Sequence, residues 1–514
     1  MQFPWAMSEG VIGGTHLLVR SAFPVSRGWW NRAWLRSLAS YLLLPNLLFA
    51  VLGQFFYVTR PVINVDYLLL GSVAALLPAP VVTLSYAVLL ANDAFVSLAP
   101  VFHFDLETAV FSLSFGLGHR LAFSSLAILL IVSVSCVALL SARLSGLRER
   151  AVARPGLLAV AALIIGLDVL AGTSALSRAD AARLRINVAT SAIYKTVGAV
   201  RRGLSFAPTA GMSKKVPVTS ATGGVRRALT AGLQSRALGA VNVVLVLVES
   251  MGHFLDGQGD AVVLAPLLSD SIRDRYEVRI GTVPAHGATT NGEFRELCGV
   301  DADYRSARLV DGSGCLPELL RKDGFRTFAV HGYSQTLFDR DQWYSRLGFQ
   351  RTLFGEELTR LPGVSLCGTT FRGACDADAS RIVATELSEA PSGERRFVYW
   401  LTLSSHLPLD AAGGAGSTLN CDQSSEARRF ADVCTLMRIH RLVAMDVAAI
   451  AMNPALPPTR FVVVGDHAPP FFSRDKRAIF SPDSVAFVEL VPRGLELRTP
   501  TAARVTSAAG TGGR

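Results

Sequence analysis

The chain has 514 residues, half of them apolar and 18% charged, with a mean hydropathy of +0.37. An ordinary soluble protein carries about 25% charge, so a disordered chain, a collagen, a small disulfide scaffold and an all-soluble protein are excluded; the apolar excess lies before Gly172. The formal charge of +10 then reads as Lys and Arg flanking membrane spans and facing anionic headgroups, not as a nucleic-acid surface.

Residues 1–36 form a basic arm (Arg20, Arg27, Arg32, Arg36) without an unbroken apolar run, so no early signal peptide is expected. A bilayer core needs about 20 mostly apolar residues as helix. Leu38–Val58, Tyr67–Leu90, Leu121–Leu140 and the shorter Leu157–Ala171 meet this. Phe95–Leu117 is weaker, because it contains His103, Asp105 and Glu107. These three read either as an intramembrane polar site or as a helix end or re-entrant loop. Asp168, near the far end of the last segment, reads as interfacial.

Charge parity decides the count. The arm and the connection Ser141–Pro155, with Arg143, Arg148, Arg150 and Arg154, both belong in the cytoplasm by the positive-inside rule. Joining them takes an even number of crossings, so the weak segment is counted. Residues 37–173 are then a region of about five helices, and the last span delivers the remainder outside. Residues 174–240 read as an interfacial helix and linker. Ala181–Arg202 has an apolar face with basic residues elsewhere and suits a membrane surface or packing on the following domain; about Phe206–Gly224 is a flexible join.

From Val241 the pattern changes. Val241–Val248 is a short β-branched run, as a buried parallel strand requires. Similar runs recur at Phe325–Val330, Phe397–Leu403 and Phe461–Val464, with helical patterns at Leu316–Lys322 and Ala431–Ile450. The expected fold is therefore a multi-span helical membrane region followed by an α/β domain, residues 241–496, with a mostly parallel sheet. A disordered tail is expected over 497–514. Cys136 falls in a span, whereas Cys298, Cys315, Cys367, Cys375, Cys421 and Cys434 lie in the exported part. The compartment permits disulfides, and neighbour pairing 298–315, 367–375 and 421–434 is the simplest connectivity. Buried free thiols are the alternative.

In parallel sheets ligands bind beyond the carboxyl ends of the strands. After the first run stands Glu249, and after the last come Asp466 and His467. Oxygen and imidazole donors suit Zn²⁺ or Mn²⁺. An Asp-His pair alone is commonly a turn or cap, but two polar clusters ending two strands of one domain are more specific. Between them, Gly287–Phe294 holds Thr289 and Thr290. A hydroxyl opening a helix there would sit on backbone N–H groups suited to phosphate; a plain N-cap is the alternative.

Residues 241–490 resemble the lipoteichoic acid synthase and phosphoglycerol transferase branch of the alkaline phosphatase/sulfatase superfamily. The resemblance rests on NVVLVLVESMG at 242–252, GATTNGEF at 287–294, HGYSQTLFDRDQWY at 331–344, LTLSSHLPL at 401–409 and VVGDHAPPF at 463–471. It implies a divalent metal, Mn²⁺ or Zn²⁺, held by Glu249, Asp466, His467 and Thr289, with Thr289 also the nucleophile. Thr290 is the fallback, since the loop departs from the family's usual residues there. It further implies that His331, Phe338, Arg340 and His406 line the substrate pocket, with Arg340 on phosphate and His406 near the reacting group; Asp341 is a weaker candidate.

The implied reaction is two displacements. A headgroup phosphate passes from phosphatidylglycerol or phosphatidylethanolamine onto Thr289, then onto an envelope glycan or lipid acceptor, at the periplasmic face of a bacterial inner membrane. Sulfatase chemistry is disfavoured, because the loop lacks C/S-x-P-x-R and the nearest imitation, Cys315–Leu319, lacks the Arg. A headgroup-releasing phosphodiesterase and a non-catalytic glycan- or lipid-binding membrane protein are the alternatives. The Gly-rich stretch Ala411–Ser417 suits an acceptor-side loop or a plain surface loop.

Overall fold

The computed structural model describes residues 32–56, 60, 62–103, 106, 150–173, 189–204, 216–230 and 241–493. These fall into two compact units. One draws on residues 1–51, 60–96 and 123–195, the other on residues 52–59, 97–122 and 196–514.

Among the described residues two helical stretches, Trp34–Phe55 and Ala79–Val101, are long and apolar enough to cross a membrane. The expected span Tyr67–Leu90 is not one helix. Asp66–Val73 runs into a 3₁₀ turn, Ala74–Leu76, and Leu77 is extended before a new helix, Ala79–Leu98. The cause is Pro78, which lacks an N–H and forces the preceding residue out of the helical region. The expected Leu157–Ala171 lies within the helix Arg150–Thr173. That helix comes close to Gly71, where a Cβ would stand 2.9 Å from Leu157 and 2.7 Å from Tyr41. Leu121–Leu140 and most of Phe95–Leu117 beyond His103 lie outside the described residues, as does the tail 497–514. Among the described residues of this unit the buried acids Asp66 and Asp93 are partnered, as burial of a carboxylate demands. Asp66 accepts from Ser191 Oγ and the Ile193 N–H, and Asp93 accepts from the Tyr67 hydroxyl 3.5 Å from Arg60.

Of the expected helix Ala181–Arg202, residues 181–188 lie outside the described set, and the helix found is Ala192–Leu204. It leaves Tyr194 (80%), Val197 (60%) and Ile193 (46%) exposed.

The second unit is built on a seven-stranded sheet. Its strands are β1 (Asn242–Val248), β2 (Tyr276–Pro284), β3 (Phe325–His331), β4 (Arg351–Leu353), β5 (Arg395–Leu401), β6 (Thr459–Gly465) and β7 (Ser484–Pro492), in the order β2-β7-β6-β1-β5-β3-β4. Only β7 runs against its neighbours. β1 is central and wholly buried. Its Val244, Val246 and Val248 enter one core with Val443 and Val447, while Val243, Leu245 and Leu247 enter the other with Phe294 and Leu316. Burial on both faces is why this strand reads as a continuous apolar run rather than an alternating one. Three helices matter for the site: α1 (Thr289–Cys298), α2 (Asp376–Ser388) and α3 (Ala431–Met452). All three expected disulfides form: Cys298–Cys315, Cys367–Cys375 and Cys421–Cys434.

Candidate active site

Adjacent parallel strands β1 and β6 end together, Val248 being paired with Gly465. Glu249, Asp466 and His467 therefore emerge side by side. The approach of the two chain ends requires glycine, since a Cβ on Gly465 would stand 1.7 Å from the Met251 carbonyl oxygen. Ser250 turns the chain at φ +55°. Its N–H and that of His467 both bond to Asp466 Oδ1, at 2.8 and 2.6 Å. Asp466 Oδ2 is left buried and without a hydrogen bond.

Helix α1 brings the fourth donor. The turn before it uses Gly287 at φ +76°, and Asn291 Oδ1 accepts from the Ala288 N–H. Gly292 sits against the backbone of Asp466, where a Cβ would be 2.9 Å from its Cα. This close approach sets Thr289 Oγ1 3.1 Å from Glu249 Oε2 and 3.4 Å from His467 Nε2. His467 Nε2 is in turn 3.6 Å from Glu249 Oε1 and 3.3 Å from Asp466 Oδ2. The Thr289 hydroxyl meets the carboxylate and the imidazole; Thr290 is buried beside it.

These separations test whether a cation fits. A tetrahedral ion with bonds of about 2.1 Å sets its ligands about 3.4 Å apart; Thr289 Oγ1 and His467 Nε2 stand 3.1–3.6 Å from the neighbouring donors named above, and ligand atoms of Glu249, Asp466 and His467 all lie within 4.8 Å of one another. The bare Asp466 Oδ2 supplies a second, independent sign. Burial and the neighbouring Glu249 push the Asp466 carboxyl well above its usual range. Burial acts on Glu249 in the same sense, but His406, His467 and the Ser250 and Thr289 hydroxyls outweigh it and hold that carboxyl low, at about 2. Two buried acids this close call for a positive charge between them. The residues present fit a divalent ion held by Glu249, Thr289, Asp466 and His467.

Carbonyl acceptors fix the imidazole tautomers. His467 Nδ1 bonds to Ala468 O at 2.9 Å, His406 Nδ1 to Leu407 O at 2.7 Å and His331 Nδ1 to Leu401 O at 3.1 Å. Each Nδ1 therefore carries the proton, and each Nε2 presents a lone pair. Burial lowers all three pKa values, His331 to about 3. His406 also packs against Phe371, with ring centroids 4.1 Å apart.

Arg340 stands apart from this pattern. Its guanidinium is 2% exposed and forked onto Glu293 Oε2 at 3.0 and 3.1 Å, while Tyr344 and Tyr399 donate to Glu293 Oε1. Phe338, at φ +59°, lies 5.5 Å beneath it. This arginine is committed to a buried pair, whereas the sequence reading put it on phosphate. Asp341 is exposed.

Supporting residues that sequence reasoning missed surround the ligands. Arg295, from α1, bonds to the carbonyls of Gly465 and Asp466 at 2.5 and 3.0 Å. The Glu249 carbonyl accepts from Ser405 Oγ at 2.6 Å and His440 Nε2 at 3.1 Å. Asp376 accepts from the N–H groups of Leu403 and Ser404, both at 2.8 Å, bracing the segment that carries His406. In sequence Arg295, Asp376 and His440 are ordinary helix residues outside any motif, and Ser405 lies in the 401–409 motif with nothing to mark its bond to the Glu249 carbonyl.

A mostly parallel sheet with acid, threonine and Asp-His donors converging at its carboxyl edge defines a class, and residues 241–485 match the Sulfatase family model. The matched segment is a little under half of the chain, and over it the chain is similar to that family. Among curated proteins, the capsular polysaccharide biosynthesis protein RkpI of Rhizobium meliloti (strain 1021) is 26% identical over 202 residues. The match covers 37% of this chain and 34% of that protein, so the chain spans about a third of its relative's length. Solved structures that are similar include the lipoteichoic acid synthase LtaP of Listeria monocytogenes (15% identity, 51% of this chain and 67% of that one, TM-score 0.39). The phosphoglycerol transferase GacH of Streptococcus pyogenes is another (18%, 53% and 78%, 0.34), as is the periplasmic domain of EcEptC from Escherichia coli (14%, 49% and 73%, 0.32).

Proposed function

We propose that the protein is a membrane-anchored transferase that moves a phospholipid headgroup phosphate through phospho-Thr289 onto an envelope acceptor. The observation that carries this reading is the convergence of Thr289 Oγ1 with Glu249, Asp466 and His467 at the start of α1. A divalent ion held there, Zn²⁺ or Mn²⁺, would lower the pKa of the threonine hydroxyl and neutralise charge on a phosphoryl oxygen.

The chain's own groups supply the rest. Thr289 Oγ1 bonds to phosphorus as the bond from phosphorus to the diacylglycerol oxygen breaks. His406 Nε2, left bare by the bond from Nδ1 to Leu407, takes the threonine proton and gives it to the leaving alcohol. In the second half the acceptor hydroxyl attacks phosphorus, its proton passes through His406, and Thr289 Oγ1 is restored. His331 Nε2 is a further acceptor for substrate hydroxyls, and the N–H groups opening α1 suit phosphate oxygens.

The donor is phosphatidylglycerol or phosphatidylethanolamine. The acceptor is a glycan ahead of a lipid, in keeping with the relative in capsular polysaccharide biosynthesis. The apolar helices and the exposed face of Ala192–Leu204 are in keeping with a multi-pass protein of a bacterial inner membrane, its catalytic domain in the periplasm at the outer leaflet. The test is mass spectrometry of the Thr289 peptide after incubation with mixed phospholipids. A glycerophosphoryl or phosphoethanolamine adduct, absent from Thr289→Ala, is expected. With metal bound and no adduct in the wild type, the transferase reading fails in favour of direct hydrolysis or binding.

A further inference from the structure

His103 ends the 3₁₀ turn Ala99–Phe102 that follows the helix Ala79–Leu98, and it is held in the left-handed region at φ +58°. A non-glycine residue in that region is strained and persists where its surroundings fix it. The surroundings here are the metal-binding loop. The ring of His103 lies 4.9 Å from that of His467, and its Nε2 is 2.8 Å from Ala468 O. The same carbonyl accepts His467 Nδ1 at 2.9 Å. Its two lone pairs thus serve two imidazoles.

A nitrogen 2.8 Å from a carbonyl oxygen must carry the proton, so His103 Nε2 is a donor. Arg477 Nη2, 3.3 Å from the same nitrogen, gives its hydrogen bond to Val101 O. Phe56 pairs with Ser473 of the same loop through the backbone. Residues 56 and 101–103 therefore dock on the stretch that begins with Asp466 and His467.

The geometry points to His103 as a positioning residue of the cation site: by sharing the Ala468 carbonyl with His467 it fixes the direction of that acceptor, and with it the ring and tautomer that leave His467 Nε2 bare. Partners one step behind a metal ligand act this way, orienting the ring and excluding water. The role rests on the four-donor cation site proposed above. It also gives a segment outside the family-matched residues 241–485 a part in building that site.

The experiment is a Zn²⁺ titration, in competition with a chelator, on the full chain in detergent, with thermal unfolding of each metal-free variant measured in parallel. His103→Ala and His103→Asn are expected to weaken Zn²⁺ binding roughly 10–100-fold, while His103→Gln stays within about threefold of wild type. The glutamine amide nitrogen is as many bonds from Cβ as imidazole Nε2, whereas the asparagine nitrogen falls short. The metal-free variants should melt with the wild type. Zn²⁺ affinity unchanged in His103→Ala overturns the proposal. So does a loss that His103→Gln fails to rescue, or one matched by destabilisation of the metal-free protein. A wild-type chain that binds no Zn²⁺ overturns the cation site itself, and this role with it.

Discussion

Gly465→Ala is the sharpest probe of how the site is assembled. Gly465 is the last residue of β6 and precedes Asp466. An added Cβ would stand 1.7 Å from Met251 O, and Cβ contacts below 3.0 Å are essentially never found, so the two chains must part by at least 1.3 Å. Neither obstacle nor substituent is a flexible side-chain end; backbone has to move. A catalytic or binding constellation tolerates about 0.5 Å of displacement, and a shift near 1 Å costs on the order of 100-fold. The variant should therefore bind Zn²⁺ at least about 100-fold more weakly, equivalent to about 2.7 kcal/mol. Overpacking should cost the fold roughly 1–3 kcal/mol besides. Chelator-competition titration of the full chain in detergent reads the first effect and thermal unfolding the second. A folded Gly465→Ala protein with wild-type Zn²⁺ affinity would refute the reasoning, because the cation could not then depend on the closeness of β1 and β6.

Arg340→Ala should cost roughly 3–5 kcal/mol of stability, since it strands the buried Glu293 carboxylate; if it instead raises KM with an unchanged melting temperature, Arg340 acts on phosphate and the pair is incidental. Removing the Cys298–Cys315 disulfide, which closes a loop of sequence separation 17, should cost about 3 kcal/mol in urea unfolding; no change would show that the loop is already ordered without it. Burial raises the Asp376 carboxyl from 3.8 to about 6 against the pull of the Ser404 and Leu403 N–H bonds. The folded chain then holds this proton more tightly than the unfolded one, so stability falls as pH rises from about 4 to about 6, by roughly 3 kcal/mol from this group. Urea unfolding across that window, wild type minus Asp376→Asn, isolates the slope, and a slope of opposite sign would contradict the assignment.

How much of this was legible beforehand follows from where each residue sits. β1 is visible in VNVVLVLV because it is buried on both faces, and strand-end chemistry follows from the parallel sheet. β2 has no such signature: it is an edge strand whose Glu277, Arg279 and Ile280 face solvent, so neither a continuous run nor a clean alternation marks it. The expected Tyr67–Leu90 helix reflects composition alone, which does not register the break at Pro78. The convergence of Glu249, Asp466 and His467 was legible because they follow the ends of two strands, and that of Thr289 because it opens a helix between them. The pairing of Arg340 with Glu293 was not legible, because Glu293, 47 residues away on α1, is invisible to any local pattern. His103 stood out only as a polar residue in an apolar stretch; its contact with Ala468 spans 365 residues of sequence.

The central claim is that one divalent cation is gripped jointly by Glu249, Thr289, Asp466 and His467. Anomalous diffraction from crystals of the full chain soaked with Zn²⁺ or Mn²⁺ tests it most directly. The account predicts one dominant peak about 2.0–2.2 Å from a donor atom of each of the four residues, lost in Asp466→Ala. A peak held by other side chains, or none at saturating metal, would contradict it.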